Sequence, residues 1–172
     1  MSPPELDGLR EKEVEYLEVT IQNTKPVVLT DLTLALLAVG HQYEAFIENE
    51  LPPEQHVFST LLVKEVRSGS IVFELMAQAI PIAPLLWQGG SMLEWAKSAK
   101  DILMYLQGKL KVPPKELAKS DLKQWDSILE PVAKDSGSQM NFVVHDGGVV
   151  HQFIVSSNDA NVAQNKIRKQ LA

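Results

Sequence analysis

The sequence predicts an α+β fold in which a largely antiparallel sheet of about five strands packs against helices. Three kinds of local pattern carry this prediction: alternating apolar and polar runs, amphipathic runs with helical spacing, and glycine-containing turns between neighbouring β-rich runs. In chain order the elements are β, α, β, β, α, α, β, β, α. The 172 residues fit a single domain over residues 1–172, with residues 1–12 expected to be flexible.

The first two predicted elements are a strand and a long helix. Residues 14–21 alternate apolar and polar side chains, which is typical of a strand with one buried face. A helix is expected to follow, with Thr30 or Asp31 as its N-cap and an apolar stripe that ends at Leu51, before two prolines.

Two neighbouring antiparallel strands are predicted next. They cover residues 56–66 and 70–77, and Gly69 in the short loop between them supplies a positive φ.

The most apolar stretch of the chain runs from Ile71 to Trp87. Its 17 residues fall short of the roughly 20 that a membrane-spanning helix needs, and a glutamate and two prolines interrupt it. We therefore expect no membrane span. Residues 80–87 are interpreted as an apolar connector that either lines the core or contacts another protein.

Two helices are predicted in the region that follows the connector. Ser91 is the expected N-cap of the first, whose apolar seam ends at Gly108. The glycines before Ser91 would also suit a bound anion, but almost every helix start with glycines shares this feature, and ordinary capping by Ser91 is the expected explanation. The second helix covers roughly residues 117–134, with Pro131 in its last turn or at a kink.

The last part of the chain predicts a β-hairpin around Asp146 and two glycines. Its register stays open, because Val143 could face either Val150 or His151, and the two choices bury different faces.

A final helix is expected after this hairpin. Its N-cap is Ser157, Asn158 or Asp159, and basic residues near its C-terminus, including Arg168 and Lys169, complement the helix dipole.

Composition excludes several classes of function. The chain has no cysteine, which rules out disulfide frameworks, thiolate catalysis and cysteine-based metal sites. No phosphate-binding loop, dinucleotide-binding or zinc-protease motif is present, and we expect no cofactor. The formal net charge of −6 argues against nucleic acid as a partner, although residues 97–123 are rich in lysine. The acidic start lacks an export signal, so a soluble, cytoplasmic protein is expected.

We therefore expect a non-catalytic domain that associates with itself or docks to another protein, through the connector and the seam of the helix at residues 91–107. The residues assigned to this interface are Ile80, Ile82, Leu85, Leu86, Trp87 and Trp95.

Two other functions stay open. A small-molecule-binding or hydrolytic domain would place its pocket between sheet and helices and use His145, Asp146 and His151, since imidazole titrates near neutral pH. Alternatively, the connector and nearby lysines could bind a membrane surface.

Overall fold

The computed structural model describes residues 15–50, 57–67, 69–79, 91–146 and 149–172. Its elements, in chain order, are β1 (Glu15–Gln22), α1 (Leu29–Glu50), β2 (Val57–Arg67), β3 (Ser70–Ala79), α2 (Ser91–Leu106), α3 (Lys119–Ala133), β4 (Gln139–Asp146), β5 (Val149–Ser156) and α4 (Ser157–Leu171). The α+β class and the antiparallel sheet are confirmed. The predicted flexible residues 1–12 lie outside these ranges and stay a prediction.

The sheet has the strand order β2-β3-β1-β4-β5, and every neighbouring pair is antiparallel. The first strand therefore lies in the middle, with one hairpin on each side. The sequence prediction did not contain this spatial order, because it depends on pairings between distant parts of the chain.

One face of the sheet, which we call the helix-covered face, forms the core. Leu17, Val19 and Ile21 of β1 are fully buried on it, and their partners on β3 are Leu75, Phe73 and Ile71. These side chains belong to one apolar cluster with residues of all four helices. Burying each of these β1 and β3 side chains stabilises the fold by about 1.5–3 kcal/mol. Because only one face of β1 is buried in this way, its apolar residues alternate with polar ones in the sequence.

Helix α2 lies against the centre of the sheet, in contact with β1, β4 and β5. Its apolar seam is buried along the whole helix, as the spacing of these residues predicts: Met92, Ala96, Ala99, Leu103 and Leu106. Gly108 then adopts a φ of +82°, which favours glycine and confirms the expected end of the helix.

Helix α3 packs against α1 and α4. Trp125, Ile128 and Leu129 are completely buried in these contacts. Pro131 lies inside the helix, in its last turn, which is one of the two positions that the sequence allowed.

Helices α1 and α4 each begin earlier in the chain than predicted. Helix α1 already includes Leu29, so Thr30 and Asp31 lie in its first turn. The N-cap of α4 is Ser156: its Oγ accepts a hydrogen bond from the N–H of Asp159 at 3.0 Å, and its own N–H donates to the Asp159 carboxylate at 3.4 Å. Because this capping box needs an acid three residues after the cap, Asp159 serves as its third residue rather than as the cap.

Neither predicted register of the second hairpin is correct. Asp146 pairs with Val149, which leaves two residues between the strands, and Val143 faces Gln152. The register stacks the rings of Phe142 and Phe153 with centroids 4.6 Å apart on the helix-covered face. Burial of this aromatic pair explains the choice of register, since a slip by one residue would move one ring to the other face.

Candidate functional site

The two histidines of the second hairpin lie on opposite faces of the sheet. His145 pairs with Val150, and its ring stacks on Tyr16 with centroids 4.5 Å apart. His151 pairs with Val144 and shares the helix-covered face with Phe153, whose ring centroid is 6.4 Å away. The two imidazoles therefore do not converge on one site.

No metal centre is found among the residues that the structure describes, since no three histidine or acidic side chains there group closely enough to hold an ion. The backbone of Asp146 is placed at the end of β4, but its side chain is not among those described.

Trp95 is in the core rather than at an interface. It is 3% exposed and meets the ring of Tyr43 edge-on at 6.2 Å, so its assignment as a contact for another chain is wrong. The apolar surface of α2 is wider than a single seam because the helix contacts both the sheet and α1. The other assigned interface residues, Ile80, Ile82, Leu85, Leu86 and Trp87, fall in a part of the chain that is not described, and they stay predictions.

The N-terminus of α2 contacts a carboxylate of the same chain. Glu15, 2% exposed at the start of β1, accepts a hydrogen bond at 2.9 Å from the backbone N–H of Met92. Unpaired N–H groups and the helix dipole favour an anion at this position. The Glu15 side chain of the same chain therefore lies at this helix N-terminus, where the sequence suggested that a bound anion would fit.

The cavities found among the described residues lie away from the hairpin histidines. One groove, of about 410 Å³, runs between α1, α2 and the segment before α3, and both acids and lysines line it, including Glu50, Glu94 and Lys97. Glu94 and Lys97 form an exposed ion pair at 3.8 Å. Such a pair is strongly screened by solvent, so the groove offers no concentrated charge for a ligand.

The most distinctive exposed feature is β5, which forms one edge of the sheet. Val150 and Ile154, on the face opposite the helices, are 58% and 49% exposed. Gln152 lies between them on the same face, and its side-chain amide donates to Asn141 at 2.9 Å.

Backbone hydrogen bonding shows which groups of β5 face outward. The N–H of Ser157 donates to the carbonyl of Ser138 at 3.0 Å, so these two residues face each other as a hydrogen-bonded pair. The next pair along the two strands, Gln139 and Ser156, is therefore a non-hydrogen-bonded pair. Hydrogen-bonded and non-hydrogen-bonded pairs alternate along two antiparallel strands. Counting back from Ser156, every second residue of β5 therefore belongs to a non-hydrogen-bonded pair and directs its N–H and C=O away from β4. These residues are Val150, Gln152 and Ile154.

We call this row of backbone groups, together with the exposed side chains of Val150 and Ile154, the β5 edge. The other edge strand, β2, carries Lys64 and Glu65, and its register shifts between Val63 and Glu65. Charges and bulges are the usual devices that prevent an edge from pairing with another chain. The sequence of β5, VVHQFIVS, contains no charged residue and no proline, and its pairing with β4 is regular.

The β5 edge is not among the sites predicted from the sequence, although the sequence contains a signal for it. Val150, Gln152 and Ile154 alternate with the buried Phe153 and Val155, so an exposed apolar pair could have been read from the spacing. Only the strand order shows that this strand is at an edge.

A scan against protein-family models, a search of curated proteins and a search of solved structures each gave no significant match to this chain. Within the described ranges, every helix is too short or too polar to cross a membrane. The function is therefore inferred from the residues and geometry of the chain itself.

Proposed function

We propose that this protein is a non-catalytic domain that binds another polypeptide by adding a strand to the β5 edge. One observation carries the proposal: Val150, Gln152 and Ile154 direct their backbone groups outward from an uncharged, regular edge strand. An added strand would pair with these groups, and the main-chain hydrogen bonds would supply affinity.

The exposed side chains support the same function. Val150 and Ile154 present apolar surface on both sides of Gln152, at the spacing with which alternate side chains of an added strand would meet them. Burial of both would contribute favourably to association, whereas in the isolated chain they contact water.

The rival function, a small-molecule-binding or hydrolytic site at the hairpin, has less support. It needs His145 and His151 to act together, and they lie on opposite faces of the sheet. No observation among the described residues favours binding to a membrane surface. A role for the 80–87 connector in the same association, and a cytoplasmic location, continue as predictions from the sequence.

A peptide titration tests strand addition directly. A fluorescent peptide that contains the β5 sequence between lysines would be titrated with the protein, and binding followed by anisotropy. Ile154→Lys places a charge on the β5 edge and should weaken binding roughly tenfold or more. Leu34→Lys is a matched control, because Leu34 is also 49% exposed but belongs to α1 rather than to the β5 edge.

The proposal requires that the two variants differ. Binding that is weakened by Ile154→Lys and unchanged by Leu34→Lys supports strand addition at β5. Absence of binding at protein concentrations where light scattering shows a monomer, or equal effects of both variants, would show that the β5 edge does not bind an added strand.

A further inference from the structure

We propose that the natural strand added to β5 is the β5 of a second copy of this chain, paired antiparallel about a two-fold axis at Gln152. This inference rests on the proposed function and names its partner.

The outward residues of β5 are symmetric about Gln152. Val150 and Ile154 are each two positions away and have similar exposure, 58% and 49%. A two-fold axis at Gln152 therefore places Val150 of one copy opposite Ile154 of the second copy, and the reverse. Gln152 faces Gln152 of the second copy. The edge is thus complementary to itself in both side-chain size and polarity.

The backbone groups match in the same register. Within the described ranges, the outward N–H and C=O of each of these residues have no backbone partner, and the three residues of one copy face the three of the other. Residues that direct both groups toward a partner strand form hydrogen-bonded pairs, so the dimer gains about six backbone hydrogen bonds. The two sheets become one continuous sheet.

Other registers fit less well. An axis at His151 would place Val150 opposite Gln152 of the second copy, which sets an apolar side chain against an amide that already bonds to Asn141. An axis at Val150 or at Ile154 would place that residue opposite its own copy. The other apolar residue would then have no apolar counterpart, and fewer outward backbone groups would pair. Only the axis at Gln152 matches both apolar residues and all three sets of backbone groups.

Charge does not oppose this contact locally. Each copy has a formal net charge of −6, but β5 contains no charged side chain, so the two β5 strands bring no like charges of their own together across the axis. The remaining repulsion between the two acidic copies is long-range and is screened by salt.

The contact also limits the size of the assembly. Pairing of two β5 edges uses both of them, and the edges that are left are the β2 strands, which carry Lys64, Glu65 and the register shift. An isologous contact of this kind closes at the dimer and does not propagate into a fibre. The expected mass is therefore twice 19.1 kDa.

Single-cysteine variants of the whole chain test the register, and the absence of natural cysteine makes the result unambiguous. In the proposed dimer the two Gln152 Cα atoms are roughly 5.5 Å apart, within the range that a disulfide bridges. Gln152→Cys should therefore form a disulfide-linked dimer under mild oxidation. Val150→Cys alone should not, because four residues of strand separate the two copies of position 150 by roughly 14 Å. Ile154→Cys alone should fail for the same reason.

A mixture completes the test, since Val150→Cys and Ile154→Cys variants mixed together should cross-link to each other. Non-reducing electrophoresis measures the products, and circular dichroism checks that each variant is folded. The inference is supported if Gln152→Cys and the mixture cross-link and the two separate variants do not.

Two results would overturn the inference and still leave the proposed function measurable. A wild-type mass of 19.1 kDa by light scattering at all concentrations would show that the partner is not a second copy. A dimer in which Gln152→Cys does not cross-link would show that the axis is elsewhere. In both cases the peptide titration independently reports whether β5 accepts an added strand.

Discussion

Glu15 and Met92 are joined by a buried hydrogen bond between the start of β1 and the first turn of α2, 77 residues apart in the chain. The Glu15 carboxylate accepts from the backbone N–H of Met92 at 2.9 Å. It satisfies one of the N–H groups that a helix N-terminus leaves unpaired, and its charge complements the helix dipole. This contact fixes α2 against the middle strand of the sheet.

We expect Glu15→Ala to lower the free energy of unfolding by about 1–3 kcal/mol, because the buried N–H of Met92 would lose its acceptor. Glu15→Gln should cost less, since the amide oxygen can still accept while the favourable charge is lost. Urea unfolding measures both. Glu48→Ala removes an exposed carboxylate from α1 and serves as the control. Equal stability of the Glu15→Ala and Glu48→Ala variants would contradict the capping role.

A second buried carboxylate, Asp135, connects the loop before α1 to the loop before β4. It is 3% exposed and accepts hydrogen bonds from the N–H of Thr24 at 2.7 Å, the Thr24 hydroxyl, and the N–H of Lys25 at 3.3 Å. Burial opposes ionisation, but these hydrogen bonds outweigh it and hold the pKa of Asp135 below its ordinary value.

Asp135→Asn should therefore destabilise the protein at pH 7 by about 1.5–3 kcal/mol, because an amide cannot accept all of these bonds. Since the folded-state pKa lies below the unfolded value of about 3.9, the carboxylate stabilises the fold fully above that pH. The stabilisation is lost as the pH falls through the folded pKa. Urea unfolding at several pH values should show the difference between wild type and variant shrinking below about pH 4. A difference that is independent of pH would exclude this origin.

The pKa of Asp126 on α3 is shifted in the opposite direction to that of Asp135. Burial raises the pKa of its carboxyl, the Arg168 guanidinium at 3.8 Å counteracts this rise, and Glu130 adds to it. Because the folded-state pKa is above the unfolded value, ionised Asp126 costs stability at neutral pH, and the cost disappears in acid.

We therefore expect Asp126→Asn to stabilise the protein at pH 7 by on the order of 0.5 kcal/mol, since the removed charge is partly exposed. Thermal unfolding at pH 7 and pH 3 measures the change, and the exposed Glu48→Gln is the control. A loss of stability at pH 7 would show that the ion pair with Arg168 outweighs the burial cost.

Gln152→Pro separates folding from association. The N–H of Gln152 faces outward, so its removal breaks no bond to β4, and proline is tolerated at such positions of edge strands. The variant should keep its circular dichroism and lose dimerisation in light scattering. His151→Pro is the matched control, because it removes an N–H that bonds to β4, and it should destabilise the fold much more. A dimeric Gln152→Pro variant would contradict pairing at β5.

Much of the fold could be predicted from the sequence because its signals are local. The alternation in β1, the seam of α2 and the glycine turn at Gly69, where φ is +85°, each specify an element within a few residues. The chain order of strands and helices follows from these signals alone.

The rest depends on contacts between distant residues. The pairing of β1 with both β3 and β4, and the register that stacks Phe142 on Phe153, are decided by burial in the assembled sheet. For the same reason the sequence assigned Trp95 to an interface and did not identify β5 as an edge.

Amide hydrogen exchange of β5 tests the central claim most directly. In a dimer paired about Gln152, the N–H groups of Val150, Gln152 and Ile154 should be protected like those of His151 and Phe153, which bond to β4. Dilution to the monomer should speed exchange of the first three by roughly tenfold or more and leave the other two unchanged. Fast exchange of Val150, Gln152 and Ile154 at a concentration where light scattering shows a dimer would contradict strand pairing at the β5 edge.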